Sequence, residues 1–118
     1  MDRPIIYAVD FDGTLCENKW PDIGDPNISL ITFLKGEQAK GNKVVLWTMR
    51  EGALLDNALV WLMGNHLFLP DAVNDNLPLM VERYKQNSRK VFADVYIDDR
   101  NAKFGVCAEL PFGATRED

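Results

Sequence analysis

Three apolar segments of the chain each run directly into a polar residue, and this pattern constrains the fold more than any other feature. The segments are residues 5–9, 44–47 and 91–97, and the residues that follow them are Asp10, Thr48 and Asp98. Apolar runs of this kind, of which the third is interrupted only by Asp94 toward its far end from Asp98, predict strands that are buried on both faces, as in a parallel sheet. Ligands of open α/β sheets bind beyond the carboxyl ends of the strands. We therefore expect these three polar residues to converge on one edge.

The segments between these strands predict helices. Residues 27–40 carry apolar side chains at helical spacing and stop at Gly41, and residues 52–65 show the same periodicity. A short strand is expected at residues 71–73. Strands that alternate with helices predict a single Rossmann-like three-layer α/β domain, with a central parallel sheet of about five strands and helices on both faces.

The remaining segments give weaker signals. Residues 13–26 are polar and contain Pro21, Gly24 and Pro26, so we expect a short flap loop there. A turn of helix is expected at 79–84, a last strand near 105–108, and a frayed tail over 111–118. One domain over residues 1–118, without a cap domain, accounts for the whole sequence.

Charge and cysteine content narrow the functional class. The net charge is −5, and no basic stripe is present, which argues against nonspecific nucleic-acid binding and against anionic membranes. The first apolar run is too short for a signal peptide, and no apolar stretch is long enough to span a membrane. Cys16 and Cys107 lack metal-site spacing and are expected to be reduced thiols in a cytoplasmic protein.

Two acidic pairs follow buried strands. Asp10 and Asp12 are two residues apart and Gly13 follows them, while Asp98 and Asp99 end the last of the three strands. Each pair alone is also compatible with an ordinary turn or a strand end. Together they form a dense negative cluster, and a hard dication such as Mg²⁺ would relieve its repulsion.

A hydroxyl and an ammonium group complete the candidate site. Thr48 ends its strand and can hold a phosphoryl oxygen, although a single threonine is commonly just a strand residue. Lys90 precedes the strand that leads to Asp98 and can neutralise a phosphate as a point charge. Lys85 is its competitor for this role, and a solvated surface lysine is the ordinary alternative for either.

The order of these motifs resembles that of the haloacid dehalogenase-like superfamily. The resemblance rests on Asp10-Phe11-Asp12-Gly13-Thr14, the strand ending in Thr48, Lys90 and Tyr96-Ile97-Asp98-Asp99. It implies that Asp10 attacks phosphorus and forms an aspartyl-phosphate, while Asp12 acts as general acid and base. It also implies Mg²⁺ held by Asp10, Asp98, Asp99 and the backbone carbonyl of Asp12. Thr48, Lys90 and Gly13 would bind the phosphoryl group.

The resemblance favours a small phosphatase without a cap. An aspartate at position 12 is what phosphatases of this superfamily carry, and the dehalogenases lack it. The gaps between the motifs hold only the flap and one helix, so a neighbouring subunit of a homo-oligomer could supply a lid. Arg50, Trp20 and Asn74 are possible contacts of a phosphorylated substrate. The alternatives for these three are a surface salt bridge, local packing and a turn.

Three other functions remain open. A phosphotransferase would use the same aspartyl-phosphate, and a regulatory protein would keep the fold without turnover. A receiver-type phosphoacceptor has similar residues, but in a different order along the chain, and Asp12 would have no role in it. The sequence leaves the natural substrate open among sugar phosphates, nucleotides, nucleic-acid ends and phosphoproteins.

Overall fold

The described part of the chain forms a sheet with two helices, and a separate two-stranded hairpin. The computed structural model describes residues 3–75 and 93–98, and the backbone of residues 115 and 116. The strands are β1 (Ile6–Val9), β2 (Cys16–Lys19), β3 (Asp22–Pro26), β4 (Lys43–Leu46), β5 (Ala72–Val73), β6 (Val95–Ile97) and β7 (Thr115–Arg116). The helices are α1 (Ile28–Ala39) and α2 (Gly52–His66).

The main sheet has the strand order β5-β4-β1-β6-β7. Its first four strands are parallel, and Val9 at the end of β1 lies opposite Leu46 of β4 and Ile97 of β6. The expected α/β fold with a parallel sheet is therefore confirmed. The fifth strand, β7, pairs with β6 in the antiparallel sense.

The strand β7 differs from the sequence-based expectation for the tail. Thr115 pairs with Tyr96 and Arg116 pairs with Val95, so the backbone at these two positions belongs to the sheet edge. The sequence predicted a frayed tail over 111–118, and this prediction is wrong at these two residues. Their backbone groups find partners in β6, and no local sequence pattern indicated this pairing. The helical turn expected at 79–84 and the strand expected near 105–108 lie outside the described residues.

Both described helices pack on the same face of the sheet. The core on this face includes Val9, Phe11, Leu30, Leu34, Leu46, Leu62 and Ile97, all almost inaccessible to solvent. Burial of each such side chain stabilises the fold by about 2 kcal/mol. On the opposite face Ile6, Ala8 and Val45 are also buried. Among residues 3–75 and 93–98 no helix packs there, and the expected helix on the second face stays a prediction.

Local signals fix where the helices begin and end. The Asn27 side chain accepts the Leu30 N–H at 3.2 Å and so caps α1. Its amide also donates to the Thr14 carbonyl at 3.1 Å, which ties the start of α1 to the loop after β1. The second helix ends at His66 and is capped by Leu67, whose φ of 51° is left-handed. Both helices agree with the sequence-based ranges to within one residue at each end.

The flap is more ordered than the loop that its sequence predicted. Its strands β2 and β3 pair antiparallel, with a register shift between Cys16 and Asn18. Gly24 packs so closely that a Cβ at this position would lie 2.4 Å from the Glu17 carbonyl oxygen. Prolines and glycines concealed this hairpin in the sequence, because they are normally signs of irregular structure.

The amino-terminal edge of the sheet holds a separate ion pair. Asp94 precedes β6 and accepts two hydrogen bonds of 2.7 Å from Arg3, and it also accepts the Ile6 N–H. Asp94 therefore lies at the opposite end of β6 from Asp98. Neither helix in the described part of the chain has the length and apolar character that a membrane span requires.

Candidate active site

The ends of four parallel strands bring the candidate residues to one edge of the sheet. The backbone pairing continues just beyond the strands: Asp10 N–H donates to Ile97 O at 2.9 Å, and Asn74 N–H donates to Leu46 O at 2.7 Å. Trp47 N–H donates to Val9 O at 2.8 Å and leads into Thr48. The predicted convergence of the strand ends on one edge is thus observed.

Asp10 and Asp98 occupy neighbouring positions at this edge. Val9 lies opposite Ile97 in the parallel pair of β1 and β6, so the next residues, Asp10 and Asp98, follow in register. Both are partly buried. The Asp10 carboxylate also accepts the Phe11 N–H at 2.8 Å, which fixes its orientation. Two carboxylates at adjacent strand ends make a strongly negative, oxygen-rich edge.

This pair of carboxylates fits a magnesium ion. Mg²⁺ takes oxygen ligands, is commonly bound by only one or two carboxylates, and keeps several waters. Within residues 3–75 and 93–98 no three His, Cys, Asp or Glu side chains are grouped to hold a metal. The described residues that could hold the ion are Asp10 and Asp98, while the expected ligand Asp99 lies outside the described residues.

The Asp12 carboxylate is turned toward Arg50. Its two oxygens accept hydrogen bonds of 2.8 Å from Nε and 2.7 Å from Nη2 of Arg50, a bidentate pair. The Arg50 side chain is fully buried, and that of Asp12 is 17% exposed. The hydrogen bond to Asp12 raises the pKa of Arg50, while burial opposes this rise. Gly13 turns the chain after Asp12 with a φ of 82°, as its position in the sequence indicated.

Thr48 is buried, and both its backbone and its side chain form hydrogen bonds. Its N–H donates to the Asn74 side-chain oxygen at 2.7 Å, and its hydroxyl accepts the Arg50 N–H at 3.1 Å. A hydroxyl that accepts one hydrogen bond still carries a hydrogen to donate. Thr48 is therefore held in place by its neighbours and keeps a donor for an anionic oxygen.

Asn74 follows β5 in a left-handed conformation, with a φ of 52°. Asparagine tolerates this region better than most residues, and non-glycine residues found there often mark functional sites. Its side chain holds the Thr48 backbone. The expected substrate contact of Asn74 stays a prediction.

Trp20 lies beside the Asp12–Arg50 pair. The guanidinium carbon of Arg50 is 5.1 Å from the centroid of the Trp20 ring and 5.0 Å from that of the Phe11 ring. The Trp20 side chain is 51% exposed, so part of the ring is open to solvent. Stacking of a substrate ring on Trp20 stays a prediction.

Several expected residues fall outside the described chain or take a different environment. Lys90, its competitor Lys85, and Cys107 lie outside the described residues. Cys16 is a buried free thiol, and burial is the main cause that raises its pKa.

Sequence reasoning missed two features of this edge. The bidentate contact of Arg50 with Asp12 replaces the surface salt bridge considered for this arginine, because Arg50 is buried. Met49, between Thr48 and Arg50, is 91% exposed, although methionine is among the residues most often buried. In the sequence, only its position directly after Thr48 indicated that Met49 lies near this edge.

Comparison with known proteins identifies the family of the chain. No family model and no curated protein matches it. A solved structure, described as that of the conserved protein coded by locus from Bacteroides thetaiotaomicron, is similar in sequence and fold. The two sequences are 38% identical, the match covers 84% of this chain and 78% of that one, and the TM-score is 0.72. The chain therefore belongs to the same family as this conserved protein from Bacteroides thetaiotaomicron.

Proposed function

We propose that the chain is a magnesium-dependent phosphomonoester hydrolase of the haloacid dehalogenase-like superfamily. The observation that carries the proposal is the placement of Asp10 beside Asp98 at the edge where Thr48 follows β4. A nucleophilic carboxylate, a second acidic ligand and a fixed hydroxyl are the groups that phosphoryl transfer through an aspartyl-phosphate requires. The motif order along the sequence supports the same assignment.

The chemistry divides between two carboxylates. In the first step the Asp10 carboxylate attacks phosphorus, the bond from phosphorus to the ester oxygen breaks, and Asp12 gives a proton to the leaving oxygen. In the second step Asp12 takes a proton from water, which attacks phosphorus and releases phosphate from Asp10. Together the two steps return Asp10 to a free carboxylate and Asp12 to its protonated form.

The other groups position the phosphoryl and balance its charge. The Thr48 hydroxyl donates to a phosphoryl oxygen, with Lys90 as the proposed cation. Asp10, Asp98 and Asp99, with the Asp12 carbonyl, would hold Mg²⁺, which when bound supplies positive charge against the negative charge of the phosphoryl group. Such positioning and neutralisation account for most of the catalysis in phosphoryl transfer.

The proposal also covers the cellular location of the enzyme and its assembly. The buried thiol of Cys16 fits a reducing cytoplasmic location. The half-exposed Trp20 ring beside the candidate acid leaves the site without a full cover in the described part of the chain. A second copy of the chain that supplies a lid is consistent with this openness.

The direct test is hydrolysis of an aryl phosphate by the purified protein with Mg²⁺ and with a chelator. We expect turnover only with Mg²⁺, and loss of turnover in Asp10→Asn. Asp12→Asn should slow both steps by about 10²–10⁴-fold, the usual worth of general acid–base catalysis. Asp56→Asn is a matched control, because Asp56 is an exposed carboxylate on α2 outside the proposed machinery.

Two results would separate the alternatives. Phosphate transfer to an added alcohol in preference to water would favour a phosphotransferase. Full activity in Asp10→Asn would eliminate the aspartyl-phosphate mechanism, and no activity on a broad panel of phosphoesters would favour a regulatory protein.

A further inference from the structure

Arg50 is buried with every donor of its guanidinium group in use. Nε donates to Asp12, and Nη2 donates to Asp12 and to the Asp22 carbonyl at 2.9 Å. Nη1 donates to the carbonyls of Pro21 at 3.2 Å and Leu54 at 3.4 Å. Arginine has five N–H donors, so all five have an acceptor. A buried guanidinium is tolerable only when it is paired in this way.

These five bonds join three separate parts of the fold. The Asp12 carboxylate belongs to the loop after β1, the carbonyls of Pro21 and Asp22 belong to the flap, and the Leu54 carbonyl belongs to the first turns of α2. The rings of Phe11 and Trp20 pack near the same guanidinium. One side chain therefore connects the candidate acid to the flap.

We propose that Arg50 is a positioning residue that makes the placement of the Asp12 carboxylate depend on the flap. The proposal rests on the proposed function, since it deepens the role of Asp12 as general acid and base. With the flap in place, its carbonyls at Pro21 and Asp22 hold the guanidinium in one orientation. Both Asp12 oxygens then follow that orientation.

The coupling follows from the cost of unpaired donors. If the flap moves away, Nη1 and Nη2 each lose an acceptor inside a buried site, and the arginine must reorient to satisfy them. Reorientation of Arg50 breaks the bidentate contact that fixes Asp12. Loss of the Asp12 contact has the converse effect, because the guanidinium then no longer holds the flap carbonyls in a fixed place.

Lysine cannot replace this arginine. Its ammonium group has three donors around a single point, whereas the planar guanidinium offers a fork that matches the carboxylate and leaves three more donors for carbonyls. Arg50→Lys should therefore keep the charge but lose the positioning. Arg50→Met removes both charge and donors while retaining an unbranched side chain.

The first test is the dependence of turnover on the leaving group. A proton donor matters for a phosphate ester with a poor leaving group, such as phenyl phosphate, and little for 2,4-dinitrophenyl phosphate. We expect kcat/KM, which reports only the first step, to fall in Arg50→Lys and Arg50→Met at least about tenfold more for phenyl phosphate than for 2,4-dinitrophenyl phosphate. A purely structural role would lower both rates together, and that equal loss would overturn the proposal.

The second test needs no turnover, and it keeps the proposal testable if the buried-arginine variants fold poorly. Amide hydrogen exchange over flap residues 17–25 is compared between wild type and Asp12→Asn, which turns an acceptor oxygen into an amide donor. We expect flap exchange about tenfold faster or more in Asp12→Asn, with α1 unchanged. Asp10→Asn is the matched control, because Asp10 is not among the five acceptors of Arg50, and its flap should exchange as in wild type.

The two tests fail in distinguishable ways. If wild type hydrolyses no phosphoester, the proposed function fails, while flap exchange still decides whether Arg50 couples Asp12 to the flap. If wild type is active but flap exchange is the same in Asp12→Asn, the coupling is refuted and the proposed function stands.

Discussion

The side-chain oxygen of Asn74 accepts the backbone N–H of Thr48 at 2.7 Å. This bond joins the end of β5 to the end of β4 at the candidate active edge. It also explains why a left-handed asparagine stands at this position, since the backbone turn aims its side chain back at the neighbouring strand. A residue expected to contact substrate thus acts on the residue proposed to bind the phosphoryl group.

Asn74→Gly removes this acceptor without straining the backbone, because glycine adopts a positive φ freely. We expect kcat/KM for an aryl phosphate to fall about tenfold, since the Thr48 N–H loses a bond worth about 1–2 kcal/mol. Asn74→Ala loses the same acceptor and adds the strain of a left-handed alanine. It should therefore unfold at lower urea than Asn74→Gly, by about 1 kcal/mol in free energy. Wild-type kinetics in Asn74→Gly would contradict this role.

The Thr48 hydroxyl is proposed to serve both the fold and the phosphoryl group. Thr48→Val keeps the shape but leaves the Arg50 N–H without its acceptor in a buried place, at about 1–3 kcal/mol in the free energy of unfolding. It also removes the phosphoryl donor, so kcat/KM should fall at least about tenfold. Thr48→Ser retains the hydroxyl and should keep most of the activity. Equal kinetics in the two variants would exclude a donor role.

Glu37 gives a pH-dependent contribution to stability away from the candidate site. It is buried and accepts hydrogen bonds from Tyr7 Oη at 2.6 Å, Lys40 Nζ at 2.9 Å and Asn42 Nδ2 at 3.1 Å. Burial opposes ionisation, but these bonds, with that from Tyr7 the largest, outweigh it and lower the pKa of Glu37 below its ordinary value of 4.5. The folded state therefore stabilises the ionised carboxylate of Glu37 relative to the unfolded state.

Glu37→Gln should test this linkage by urea unfolding across pH. Because the folded pKa is depressed, the stabilisation is complete above the unfolded value of 4.5 and is lost as the pH falls through the lower folded pKa. We expect wild type to exceed Glu37→Gln by about 1–3 kcal/mol at pH 7, and the difference to shrink below pH 4.5. A difference that stays constant down to acid pH would show that packing, not charge, stabilises this site.

The sequence predicted the elements whose signals are local. Apolar runs identified β1 and β4, helical periodicity with the stop at Gly41 identified α1, and the positions of the predicted strand ends placed Asp10 and Asp98 at one edge. These signals are short in range because burial periodicity and capping act within a few residues of the chain.

The contacts that the sequence did not predict are long in range. Arg50 and Asp12 are 38 residues apart in the sequence, and the pairing of β1 with β4 brings the segments that follow these strands together. The contact of Asn74 with Thr48 depends on the register of β5 beside β4. No local pattern distinguishes a buried, fully bonded arginine from a surface one, so only the tertiary structure reveals it.

The close packing of Gly24 in the flap is tested by Gly24→Ala. The added methyl group would lie 2.4 Å from the Glu17 carbonyl oxygen, so the two flap strands must separate or shift. We expect a loss of about 1–3 kcal/mol in the free energy of unfolding, the usual cost of overpacking, and faster amide exchange over residues 17–25. The measurements are urea unfolding and hydrogen exchange at neutral pH.

Gly36→Ala is the matched control for this substitution. Gly36 lies within α1, and a Cβ there meets nothing within 4 Å. Alanine is a better helix former than glycine by about 1 kcal/mol, so this variant should be more stable than wild type, with unchanged flap exchange. The same chemical change is thus expected to act with opposite sign at the two positions. If Gly24→Ala were as stable as wild type, the flap strands would not approach as closely as their contact at Gly24 requires.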